Sequence, residues 1–224
     1  MKKSHLLALA TSMLVSTTAS ANYHSTHEYE VTVTNITKSI SFTPVMVAAH
    51  KKKVDLFELG EPASGAIEAT AEGGDTSKIA AMFTGASDEV LTAAGPVMAL
   101  LRAGESSSVT FTSSLHAPKF SIASMLLPTN DAFVAKESIK LPRGVKEKTV
   151  YVRAYDAGTE ENDESCLNIP GPTCNGSAFS AQAETDEGFV YIHNGIHGVG
   201  DLEASKYTWN NPVMKVTIKR VNNQ

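Results

Sequence analysis

The chain has 224 residues, 42% of them hydrophobic, with 19 Lys and Arg against 24 Asp and Glu and a formal net charge of −5. That length can bury a sizeable core, and the acidic balance argues against a nucleic-acid partner. Lys51, Lys52 and Lys53 form a short basic run that reads as a solvated turn.

Met1, Lys2 and Lys3 open the chain, residues 6–15 are mostly apolar, and Ala19, Ser20 and Ala21 make a small-x-small cleavage site. This is the pattern of a secretory signal peptide over residues 1–21, cut between Ala21 and Asn22. The apolar run is too short to span a bilayer, and no later stretch predicts a transmembrane segment. The mature chain, residues 22–224, loses only Lys2 and Lys3 among its charged residues. That leaves 17 basic against 24 acidic groups, a net charge of −7. Export implies a secreted, extracellular or periplasmic protein.

Residues 29–36 alternate apolar and polar side chains, the period-2 pattern of a half-buried strand. Similar strands are expected at 108–112, 120–126, 149–155, 188–193 and 213–221, rich in Val, Thr, Ile, Phe and Tyr. The last can pair with the first. Residues 63–74 read as a loop of small residues. Residues 75–83 and 87–102 read as short helices, with Asp75 or Thr76 and Ser87 as caps and Pro96 dividing the second. Residues 156–186 read as a long loop, and long ordered loops are usually functional. Strands at both ends and few helices predict an all-β, antiparallel β-sandwich with short inserted helices in a single domain.

Cys166 and Cys174 flank a turn-rich segment. In an oxidising compartment they are expected to form a disulfide, contributing about 2–3 kcal/mol for so short a ring. The seven-residue gap suits neither a CxxC redox motif nor a zinc knuckle.

Two acidic loops carry the strongest chemical signal. One is PTNDAF at 128–133; the other is YDAGTE at 155–160, continuing into Glu161, Asn162, Asp163 and Glu164. Short carboxylates at strand ends, beside a glycine that lets the chain turn, suit a hard cation such as Ca²⁺. They also suit ordinary Asx turns. The second loop is not an EF-hand, because glycine stands third from Asp156 and not sixth. The loops share one end of a sandwich only if residues 132–148 cross it.

His193 and His197 are four apart, with Gly195 between them and no Glu after His193, so the HExxH metalloprotease motif is missing. The expected arrangement is one histidine bonded to loop backbone and the other exposed, next to the acidic site; a transition-metal role is the alternative. No G-x-S-x-G elbow occurs. Trp209, near Tyr207, Asn210 and Asn211, reads as cover for one end of the core before it reads as a sugar platform.

The chain resembles the spondin N-terminal domain family, represented by F-spondin and mindin in animals and by secreted single-domain proteins in bacteria. The matching stretches are FTPVMVAAH at 42–50, LFELG at 56–60 with PAS at 62–64, and AEGGD at 71–75. MLLPTND at 125–131 with Ala132 and Phe133, and YDAGTE at 155–160, complete the match. They span roughly 29 to 221. The resemblance implies a C2-like sandwich with bound Ca²⁺, and it assigns the ligands to Asp131, Asp156 and Glu160. Glu160 departs from the Asp usual in animal members. The family also tends to carry a His-x-Gly-Ile segment where His193 and His197 stand. This sequence carries neither the thrombospondin-type repeats nor the extra cysteines of animal members, so their adhesion partners do not transfer.

The expected function is a secreted, non-enzymatic Ca²⁺-binding adhesion or recognition module of the cell surface or extracellular matrix. Its partner would be an extracellular protein, glycan or lipid. The alternatives are a structural envelope or matrix protein with a purely stabilising ion, and a secreted hydrolase using Asp131 and Asp156.

Overall fold

The computed structural model describes residues 26–50, 53–83, 87–93, 100–114, 119–142, 147–180 and 186–221. The leader and its cut lie outside these, as do Lys51, Lys52, Pro96 and His116.

Two antiparallel sheets face one another. The smaller contains β1 (Thr26–Asn35), β5 (Ser106–Ser114), β8 (Glu147–Val152) and β11 (Met214–Val221), in the order β5-β1-β11-β8. The terminal strands pair as expected, with Val31 opposite Ile218 and Val33 opposite Val216. The larger sheet runs β10-β9-β7-β6-β3-β4. Its strands are β3 (Val45–His50), β4 (Ser87–Ala93), β6 (Lys119–Leu127), β7 (Ala132–Lys140), β9 (Ala154–Asp156) and β10 (Tyr191–Ile192); β2 (Ser41–Phe42) pairs with the end of β6. The strand expected at 149–155 is therefore two. The chain leaves the small sheet after Val152 and joins the large one at Ala154.

Side-chain alternation sorts the core into two layers. Val31, Val33, Val216 and Ile218 of the small sheet meet Val45, Val47, Phe120, Ile122 and Val134 of the large one. Met46, Ala48, Ala123, Phe133 and Ala135 point to the opposite face, which α1 (Gly65–Gly73) and α2 (Ser77–Met82) cover with Ile67, Ala71 and Ile79. The centre of the large sheet is thus buried on both faces, so β3 shows no polar alternation and is buried at every position.

Two local expectations are corrected. Residues 65–73 form α1: Ser64 Oγ accepts from Ile67 N at 3.3 Å, and Gly74 closes the helix at φ 67°. The small residues taken for a loop are largely alanines, the best helix formers. Residues 87–93, read as helix, form β4, antiparallel to β3, with Ala48 opposite Val90. The open edge of β3 demands a partner and overrides weak local propensity.

Phe133 is fully buried beneath α1's side of the sheet, edge-on to Phe57 at 5.2 Å. Phe133→Ala is expected to cost about 3–5 kcal/mol in denaturant unfolding; a loss under about 1 kcal/mol would contradict this packing.

Candidate metal centre

β7 carries the chain away from the first acidic turn, and β8 with β9 brings it back to the second. Ala132 pairs with Asp156, and Ala157 N donates to Asp131 O at 3.2 Å. β7 lies in the large sheet and β8 in the small one, and both acidic loops lie at one end. The first is entered through a cis Leu127–Pro128 bond. Asn130 ties it to the second: its Nδ2 donates to Asp163 Oδ1 at 2.8 Å and its Oδ1 accepts from Glu164 N at 3.3 Å.

Asp131 and Asp156 are 0% exposed, Glu160 2% and Glu72 3%. Asp131 Oδ2 accepts from Thr159 N (2.8 Å), Thr159 Oγ1 (3.3 Å) and Glu160 N (3.2 Å). Asp156 Oδ1 accepts from Gly158 N and its Oδ2 from Asn162 Nδ2, both at 2.8 Å. Glu160 Oε1 accepts from Ser180 N (2.6 Å) and Ser180 Oγ (2.7 Å). Asp131 Oδ1 and Glu160 Oε2 are buried without a hydrogen-bond donor.

Asp131 and Asp156 interact electrostatically inside the protein, as do Glu72 and Glu160. Carboxylates set together away from water favour a proton or a cation beside them. Burial raises all four acids. Asp131 is held well above the usual carboxylate range, with the charge of Asp156 as the next cause, and Glu72 is pushed up to about 7. Among the described residues no Lys or Arg is ion-paired with any of the four. Nor are three His, Cys, Asp or Glu side chains gathered there as a finished ligand group. Asp131 with Asp156 and Glu72 with Glu160 form two interacting pairs, joined where Glu160 N donates to Asp131 Oδ2. Their all-oxygen donor set and orphaned oxygens fit a hard cation.

Glu72 was missed as a site residue, because its segment was read as loop and so given no face; the AEGGD stretch was the available signal. It sits in the last turn of α1 and reaches Thr159 and Glu160. Glu164, from the end of the acidic run, does other work. It accepts from the N–H groups of His197 (2.5 Å), Gly198 (2.7 Å) and Val199 (3.0 Å), clamping the late loop to the acidic one.

His193 is buried, and burial lowers its pKa to about 4, so the ring is neutral. Its Nε2 lies 3.6 Å from Asp156 Oδ2, a contact between a neutral ring and a carboxyl rather than an ion pair. His197 is exposed. Cys166 and Cys174 form the expected disulfide. The segment after it reaches Glu160 through Ser180. Trp209 packs in the main core against His193, ring centroids 4.8 Å apart. Clefts of about 450 and 420 Å³ lie beside Phe57 and Glu137 and are lined by none of the four carboxylates.

An antiparallel sandwich closed at one end by disulfide-braced acidic loops is the build of an extracellular β domain. The chain belongs to the Spondin_N family, the spondin N-terminal domain, whose profile matches residues 12–167. That span includes α1 and all four carboxylates and stops before His193. Members are extracellular, non-enzymatic domains. No curated protein matches the chain. Among the described residues no helix is long and apolar enough to cross a membrane.

Gly158 has φ 66°, and a Cβ there would lie 2.4 Å from Phe189 O. Gly158→Ala is expected to destabilise the fold by more than about 2 kcal/mol, read as a lowered denaturation midpoint; an unchanged midpoint would remove this constraint from the loop. The carboxylates also set a pH dependence. A carboxyl raised above its unfolded value lends its stability below that value and loses it as pH climbs through the folded pKa. Buried neutral His193 acts oppositely below about 6.5, its unfolded value. The melting temperature of cation-stripped protein should therefore fall between about pH 6.5 and 8. A flat or rising profile in stripped protein would contradict the placement of these acids.

Proposed function

We propose that this chain is a secreted Ca²⁺-binding recognition module of the cell surface or extracellular matrix. It has a leader at 1–21, one domain at 22–224 and no enzymatic role. The observation that carries the reading is the burial of four carboxyl groups at one end of the sandwich, with Asp131 Oδ1 and Glu160 Oε2 left without donors. Bound Ca²⁺ supplies the positive charge that lets these acids ionise inside the protein. Asp131, Asp156 and Glu160 are its ligands, with Glu72 beside them. Oxygen donors favour Ca²⁺ over Zn²⁺, and an irregular, backbone-tethered shell favours it over Mg²⁺.

The burial of every carboxylate favours an ion held inside the loops over one presented to a ligand. Recognition then falls to the loop surface, which exposes Leu167 (78%), Val199 (71%) and Phe179 (55%). Apolar side chains displayed on braced loops suit contact with an extracellular protein, glycan or lipid. The same internal staple serves a purely structural envelope or matrix protein. In that case Asp156→Asn would reduce attachment to cells or matrix only as far as it reduces folding. A hydrolase using Asp131 and Asp156 is disfavoured, because neither is accessible to a substrate.

Calorimetric titration of stripped protein with Ca²⁺ is expected to give one saturable site, weakened more than about tenfold in Asp156→Asn. At a hundredfold excess over Kd the ion should add about 2.7 kcal/mol to stability. Folded protein that gives no heat and no change in melting would defeat the proposal.

A further inference from the structure

His193 is a buried polar side chain beside Asp156 whose contacts go beyond a bond to loop backbone. Gly195 N donates to its Nδ1 at 2.9 Å. A backbone amide only donates, so Nδ1 keeps its lone pair and the neutral ring carries its proton on Nε2. That nitrogen is buried, has no hydrogen-bond partner, and lies 3.6 Å from Asp156 Oδ2. The backbone around it is anchored: His193 N donates to Ala154 O at 3.2 Å. Asn211 links the same two residues, accepting from Ala154 N at 2.7 Å and donating to His193 O at 3.4 Å. Trp209 packs against the ring, and Gly195, at φ 92°, holds the turn that aims its N–H back at the imidazole.

We propose that His193 is a positioning and selectivity residue of the cation site, its tautomer locked by Gly195 so that it offers Asp156 a proton and never a lone pair. This rests on the cation reading above. At 3.6 Å the Nε2–H falls just short of a hydrogen bond to Asp156 Oδ2; a small inward shift would bring it to the carboxylate, as outer-layer donors orient metal-bound carboxylates elsewhere. The locked tautomer also denies the site a nitrogen ligand, since a ring whose Nδ1 already accepts a hydrogen bond would have to become an imidazolate to bind a metal through Nε2. A histidine beside three acids would otherwise favour Zn²⁺. With the ring held this way, the site stays all-oxygen and selects a hard cation.

The test uses full-length mature protein with ¹⁵N-labelled histidine. Long-range ¹H–¹⁵N correlation of the stripped protein should show His193 as the Nε2–H tautomer. Ca²⁺ should move the Nε2–H proton downfield as it closes on Asp156, and Zn²⁺ should not produce the nitrogen shift of a directly bound imidazole. By calorimetry, His193→Gln, which keeps a donor near Nε2, should hold Ca²⁺ affinity within about threefold, while His193→Leu loses about tenfold or more. An Nδ1–H tautomer, Zn²⁺ bonded to Nε2, or equal Ca²⁺ affinity in His193→Leu and wild type would overturn this inference alone. Absence of Ca²⁺ binding by wild-type protein would overturn the cation site and this role together.

Discussion

Four buried carboxyl groups, Asp131, Asp156, Glu72 and Glu160, set the terms for one whole end of this protein. Carboxylates brought together away from water repel one another and lose their hydration, and the cost is met only by protons, donors or a cation. The surrounding chain is rich in donors. Thr159, Glu160, Gly158 and Ser180 contribute backbone N–H groups, and Asn162 contributes a side-chain amide. Even so, two oxygens remain without partners. The donors gathered around these acids fall short of the acceptors they present.

The sandwich makes that gathering possible. Strand β7 is central in the large sheet, paired with β6 on one side and β9 on the other. Asp131 precedes β7 and Asp156 ends β9, so the same ladder that fixes Ala132 opposite Asp156 fixes the spacing of the two acids. Glu72 arrives from the opposite layer, on a helix pressed against β6 and β7. Its position follows from the packing of Ile67 and Ala71 onto that face. The disulfide and the Glu164 clamp then tie the long segment after β9 back over the site. A loop of this length carries few apolar contacts of its own, so its order depends on these polar ties.

The parts of the fold legible in the sequence were those with one wet face. β1, β5 and β11 alternate because one side of the small sheet is exposed, and their strand character was plain. β3 and the first half of β7 carry no period-2 signal, because helices and a second sheet bury both their faces and erase the polar half of the pattern. The alanines and glycines of α1 signal both helix and turn. Only its docking on the large sheet selects helix. The sheet change at Arg153 left no trace, since β8 and β9 read as one run of strand-forming residues.

For the site, the sequence determined the inventory: acids beside turn residues at 131, 156 and 160, two cysteines in reach of each other, and a histidine pair split by glycine. Local chemistry suffices there, because turn geometry and ligand type depend on neighbours in the chain. Tertiary structure alone decided which acids are buried together, that Glu72 joins them, that Glu164 is a clamp, and that His193 Nδ1 accepts from Gly195 N. Those facts depend on sheet register and helix docking across separations of many residues, and no local pattern encodes them.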